Sequence, residues 1–405
     1  MTRRWASVLL LAAGCAPAQA ELCQRLDDKL ESCDLPSVRA LCEQLTPDEE
    51  DRIIDYVDQL RCDGPRLERN EALTQGLCQL MRWPCPGQLF AAPDPLPTKY
   101  PLVFVSGIDG SPIFDWNPRV LQAVAAIGPN EVQLVEVTPW ATPPTRARDL
   151  WRALQAIEAP KVNLICYAVA GLDCRYLVSP GGLFRSDPAA RDAAQAKVAT
   201  ITTIATPHRG TAVAEVALDL SSEDPKEIAA RLLGTDVVPT SAAPLDLTGV
   251  RETLSGLSPE SSLGFNAEVI DAAAVYYQSF AGFSHIFGQP FYPSDEDLRR
   301  DCQDEDGRLR LARHADTYDV MSPLLWLPAA LATRTTSPEG TSIYSPSDGL
   351  VSIQSAKWGR FRGCIPADHY DVIGQIDDLG PDPNSGFDAA RFYQTLAVDL
   401  AESGY

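Results

Sequence analysis

The stretch Val162-Asn163-Leu164-Ile165-Cys166-Tyr167-Ala168-Val169-Ala170-Gly171-Leu172-Asp173-Cys174-Arg175-Tyr176 decides the fold. Its first four residues read as a strand, and the residues after them lead into a helix that carries Arg175-Tyr176. Working outward, the same alternation recurs. Leu102-Val103-Phe104-Val105 is a short apolar run of the buried-strand type, ending at Ser106-Gly107; residues 132–137 form another, and residues 198–205 read as a further strand. Residues 146–157 carry apolar side chains at amphipathic helix spacing. Strands alternating with helices predict a mostly parallel sheet with helices on both faces.

Six ordered motifs give this α/β pattern a family likeness. They are Tyr100-Pro101-Leu102-Val103-Phe104-Val105-Ser106-Gly107-Ile108, the stretch quoted above, and Ile201 through Thr206-Pro207-His208-Arg209-Gly210. Then come Leu257-Ser258 through Phe265-Asn266 with Val275-Tyr276-Tyr277, Pro346-Ser347-Asp348-Gly349-Leu350-Val351-Ser352, and His369-Tyr370-Asp371-Val372-Ile373-Gly374-Gln375. Together, from Tyr100 to Leu379, they resemble the bacterial triacylglycerol lipases of the α/β-hydrolase fold, the Pseudomonas and Burkholderia type. The resemblance implies a nucleophile elbow at residues 166–170, Asp348 as the triad acid and His369 as the triad base, in the chain order of that fold. It implies an oxyanion hole from the backbone amides of Ile108 and Val169. It makes His208 a structural residue. It places a structural calcium ion (Ca2+) at Asp371, with Asp319 as a second ligand and Gln375 shaping the loop, and it places a helical lid in residues 212–255. No organic cofactor is implied.

The elbow departs from the family pattern Gly-His-Ser-x-Gly. Cys166 stands for the first glycine, Tyr167 for the histidine, Ala168 for the nucleophilic serine and Ala170 for the second glycine, and Ser106 replaces the histidine of the oxyanion strand. Changes at all these positions together read as natural divergence rather than exchange of one serine. Side chains at both glycine positions are expected to crowd the tight turn. Alanine has no attacking atom, and loss of a serine nucleophile lowers turnover by roughly 10⁶-fold. Cys166 and Ser106 are the nearest alternative nucleophiles by position; a water activated by His369 is another route.

The N-terminus reads as a targeting segment, residues 1–20. Arg3 and Arg4 precede a short apolar run, Ala6 to Ala13, too short to span a bilayer. Two processing sites compete. Ala12-Ala13-Gly14-Cys15 resembles a lipobox, making Cys15 a lipid-carrying first residue and a membrane anchor. Ala18-Gln19-Ala20 would instead release a soluble chain. Residues 21–88 hold six of the 11 cysteines and apolar residues at helical spacing, which predicts a small disulfide-rich helical domain. Prolines 93, 95 and 97 crowd residues 89–99, a stiff linker. Residues 100–405 form the hydrolase-like domain. Apart from Cys15 the cysteines number ten, an even count that predicts disulfides in an oxidising compartment, with the connectivity open.

With 55 acidic against 34 basic residues the chain carries a formal charge of −21, which argues against nucleic acid as a partner. The expectation is an exported pseudo-lipase, secreted or held in the cell envelope, that binds a lipid or acyl-ester ligand. A weak ester hydrolase reusing Asp348 and His369, and a structural cell-envelope lipoprotein, are the alternatives.

Overall fold

The computed structural model describes residues 93–108, 112–128, 130–219, 247–286, 298, 300–302, 319–337, 341–375, 382 and 385–405. It also describes Gln24, Arg25, Asp28, Lys29 and Ser32, all of them helical. Cys15, the six cysteines of residues 21–88, residues 220–246 of the expected lid and Leu379 lie outside the described residues. The chain divides into two compact units, Met1–Gly87 with Leu379–Gly386, and Gln88–Asp378 with Phe387–Tyr405.

In chain order the second unit comprises β1 (Leu102–Val105), α1 (Pro118–Ala126), β2 (Val132–Val135), α2 (Pro143–Ala156), β3 (Val162–Tyr167), α3 (Ala170–Val178), α4 (Pro188–Lys197) and β4 (Val198–Ile204). It continues through α5 (Ala212–Asp219), α6 (Leu247–Gly256), α7 (Pro259–Glu268), β5 (Tyr276–Phe283), α8 (Trp326–Ala332), β6 (Arg334–Thr336), β7 (Ser342–Tyr344), α9 (Ile353–Ala356), β8 (Arg360–Pro366) and α10 (Ala389–Glu402). Six strands form one sheet in the order β2-β1-β3-β4-β5-β8, and every neighbouring pair is parallel. β6 and β7 form a separate antiparallel pair. This is the α/β-hydrolase arrangement.

Both faces of the sheet are covered, as a parallel sheet requires. Alternate residues of each strand point to opposite faces. Leu102, Phe104, Ile165 and Phe280 pack with Phe392, Tyr393 and Leu396 of α10 on one side. Val103, Val105, Leu164 and Ile201 pack with Leu150 and Leu154 of α2 and Leu177 of α3 on the other. Four of the sequence-read elements shift a boundary. β3, read over residues 162–165, runs on to Tyr167. The helix expected at 146–157 starts at Pro143, because two prolines at its first positions sacrifice no hydrogen bond there. β2 stops at Val135, and β4 stops at Ile204 because Ala205 turns to φ 52°.

The order of strands places β1 beside both β2 and β3, so the chain winds outward in both directions from that point. Ligands of open parallel sheets bind outside the carboxyl ends of the strands at such a reversal. The segments leaving the carboxyl ends of β1, β3 and β8 carry Ile108, Ala168 and His369.

Candidate active site

Ala168 is the apex of the turn between β3 and α3, with φ at 49°. A non-glycine residue in this left-handed region is uncommon and marks a turn held by its surroundings. Here the holding groups are two backbone hydrogen bonds: the Ala168 amide donates to the Ile204 carbonyl at 2.9 Å, and the Gly171 amide to the Ala168 carbonyl at 3.1 Å. The side chains of Cys166 and Ala170, expected to crowd the turn, do not. Cys166 points to the α2 side of the sheet and forms a disulfide with Cys174 of α3. Ala170 is fully buried on the same side. The glycine that cannot change is Gly171, where a Cβ would run into the Thr206 hydroxyl oxygen.

Asp348 and His369 come together as the sequence predicts. His369 Nδ1 lies 2.8 Å from Asp348 Oδ2. The other carboxylate oxygen, Asp348 Oδ1, accepts from the amides of Leu350 at 3.0 Å and Val351 at 2.7 Å. The His369 amide donates to the Asp348 carbonyl at 2.8 Å, which fixes the base to the acid along the backbone too. Tyr167, whose role sequence reading missed, donates its hydroxyl to the His369 carbonyl at 2.7 Å, and its ring lies 5.1 Å from the imidazole. Burial pushes the Tyr167 phenol well above its ordinary value, so it stays a donor.

His369 and Ala168 line one cavity of about 580 Å³, counting its open mouth. Ile108 and Val169, the two residues whose amides would make an oxyanion hole, line it as well. The rest of its wall is mainly apolar, including Phe114, Trp140, Val213, Leu254, Leu257 and Leu350. Val213 and Leu254 belong to α5 and α6, the two described ends of the segment expected to carry a lid.

Asp319 and Asp371 also come together, and Asp368 joins them: one carboxylate oxygen from each lies within 4.8 Å of the others. Asp368 escaped sequence reading although it directly precedes His369. Its carboxylate accepts from the amides of Ser322 at 2.7 Å, Tyr370 at 2.8 Å and Asp371 at 3.0 Å. Burial pushes its carboxyl up to about 6 despite those hydrogen bonds, and the Asp348 charge adds to the rise. Three clustered carboxylates are hard oxygen donors that suit calcium, and they repel one another without a cation or protons. Gln375 donates to the Asp115 carbonyl, so it braces this loop rather than joining the carboxylates.

Neither alternative nucleophile is placed for the task. The Cys166 sulfur is in its disulfide. The Ser106 hydroxyl, left open as a neighbour of His369, donates to Asp115 Oδ1 at 2.7 Å. His208 is structural: its ring nitrogens lie 3.0 Å from Thr203 Oγ1 and 3.1 Å from Arg175, and its ring stacks on Trp358.

No family model matches the chain. Among curated proteins it is similar to triacylglycerol lipase 2 of Saccharomyces cerevisiae, 25% identical over 254 residues, covering 60% of this chain and 58% of that one. The match therefore spans under two thirds of that relative's length. Similar solved structures include a metagenomic carboxyl esterase, at 16% identity, 77% of this chain and 79% of that one, with a TM-score of 0.47. EstA from Clostridium botulinum is 14% identical over 83% of this chain and 98% of its own, with a TM-score of 0.48. The lipase of Staphylococcus hyicus is 16% identical over 77% of this chain and 98% of its own, with a TM-score of 0.44. By its sheet and its elbow the chain is an α/β-hydrolase in fold, and its sequence likeness runs to a lipase.

Proposed function

We propose that this protein is a pseudo-lipase, which binds an acyl or lipid-ester group in its apolar cavity and does not hydrolyse it efficiently. One observation carries the reading: His369, hydrogen-bonded to Asp348 behind it, lines a cavity in which the elbow apex is Ala168. On this reading His369 would be the base and Asp348 its orienting acid, and Ala168 offers them no atom to activate. The lipase likeness supports an ester ligand of lipid type. A second reading, weak ester hydrolysis by a water that His369 deprotonates, draws on the same pair and on Ile108 and Val169 beside it.

A calcium ion held by Asp319 and Asp371, with Asp368 beside them, would supply structural charge balance next to His369 and no chemistry on the ligand. Export fits the two described disulfides, Cys166–Cys174 and Cys302–Cys364, and would use residues 1–20 as its targeting segment. Lipidation at Cys15 is the envelope-anchored form of the same proposal.

The test is a p-nitrophenyl ester assay on the purified chain beside Ala168→Ser and His369→Ala. The reading expects background turnover from the natural protein and a gain in Ala168→Ser. Turnover by the natural protein that His369→Ala abolishes would sink it in favour of the second reading.

A further inference from the structure

A second cleft, of about 540 Å³ counting its mouth, lies between α2, α3 and the facing α6 and α7. Val169 and Leu257 line both it and the apolar cavity, so the two spaces share a wall. The cleft differs from the cavity in chemistry. Arg146 and Asp173 line it, each 1% exposed, joined by an ion pair of 2.6 Å between Arg146 Nε and Asp173 Oδ2. The guanidinium is otherwise occupied, donating to the carbonyls of Gly107 at 2.7 Å, Ser106 at 3.2 Å and Thr138 at 3.3 Å. The second oxygen, Asp173 Oδ1, is buried with no hydrogen-bond partner among the described residues. A buried acceptor left unsatisfied is costly, and each such group calls for an explanation. Burial outweighs Arg146 and pushes the Asp173 carboxyl up to about 6. Glu252 also lines the cleft, so one cation stands against two carboxylates and an anionic ligand is disfavoured.

We propose that this cleft is a head-group site for an uncharged, hydroxyl-bearing acyl ester, with a ligand hydroxyl donating to Asp173 Oδ1 while the acyl chain lies in the neighbouring cavity. The proposal rests on the acyl-binding reading above and adds the class of head group.

The experiment displaces a pyrene-labelled fatty acyl methyl ester from the purified chain with four competitors: 1-monooleoylglycerol, its bis-methyl ether, methyl oleate and oleoyl lysophosphatidate. It is repeated on Gly256→Phe. Gly256 lines the cleft, and a Cβ there meets nothing within 4 Å, so a phenylalanine enters at the cleft's lining without a clash at its root. Monooleoylglycerol is expected to compete about tenfold better than the ether and methyl oleate. Gly256→Phe is expected to erase that advantage and leave methyl oleate unchanged. Equal competition by the three neutral esters overturns the head-group site and leaves the acyl cavity standing. An advantage that survives in Gly256→Phe, or tighter binding of lysophosphatidate, also overturns it. Failure of the probe and of every ester to bind removes the acyl-binding reading, and this proposal with it.

Discussion

A disulfide joins Cys166, near the end of β3, to Cys174 in α3, and it closes a loop of eight residues around Ala168. The turn between β3 and α3 is therefore a cross-linked turn. The strand and the helix are tied on the face of the sheet opposite the cavity, so the brace adds no bulk beside His369. Loop closure of this length constrains the unfolded chain by roughly 2–3 kcal/mol. The double variant Cys166→Ala/Cys174→Ala is therefore expected to lose stability of that order in urea unfolding. An unchanged midpoint would mean that packing alone holds the elbow.

Gly171 and Gly264 both sit inside helices, and their surroundings predict opposite signs. A Cβ at Gly171 would run into all three side-chain heavy atoms of the buried Thr206. Overpacking of this kind costs about 1–3 kcal/mol, which exceeds the roughly 1 kcal/mol gained by alanine over glycine in a helix. A Cβ at Gly264 meets nothing within 4 Å. Gly171→Ala should lower the urea midpoint and Gly264→Ala should raise it slightly.

Much of this arrangement was legible because it is written locally. Strand-length stretches rich in branched and apolar residues located β1, β3 and β4, and short motifs carried Asp348 and His369. What escaped was settled by distance across the fold. Tyr167 looks like a lost histidine in the sequence, yet its hydroxyl holds the carbonyl of a residue 202 positions away. Asp368 sits one residue before the expected base, and only the return of the chain at Asp319 turns it into part of a cluster. The Cys166–Cys174 bond was one of several open connectivities until β3 and α3 were side by side. The prolines at 143 and 144 hid a helix start, since proline is read first as a breaker.

The three carboxylates beside His369 predict a calcium response. If the ion binds the folded chain and not the unfolded one, stability rises by about 2.7 kcal/mol at a hundredfold excess over the dissociation constant. Thermal unfolding with calcium against EGTA should show a higher Tm with the ion. Asp371→Asn should shrink the shift, because it removes one of the carboxylates in the cluster. A Tm indifferent to calcium in the natural protein would count against a metal there.

His208 sets the pH dependence that can be worked out most directly. Burial lowers its affinity for a proton well below the ordinary histidine range, and the charges of Arg175 and Arg209 lower it further. The unfolded chain binds that proton near pH 6.5, and the folded chain refuses it until a lower pH. The unfolded state therefore carries more protons across this window, and stability falls as the pH falls below about 6.5. One such group contributes a slope of at most about 1.4 kcal/mol per pH unit, ending where the folded residue itself titrates. His208→Asn should be less stable at neutral pH, having lost the contacts to Arg175 and Thr203, and its stability should decline less steeply between pH 7 and pH 5. Urea unfolding of both proteins across that range reads the difference in slope directly. Parallel declines would show that the acid sensitivity arises elsewhere and that His208 accepts its proton within the fold.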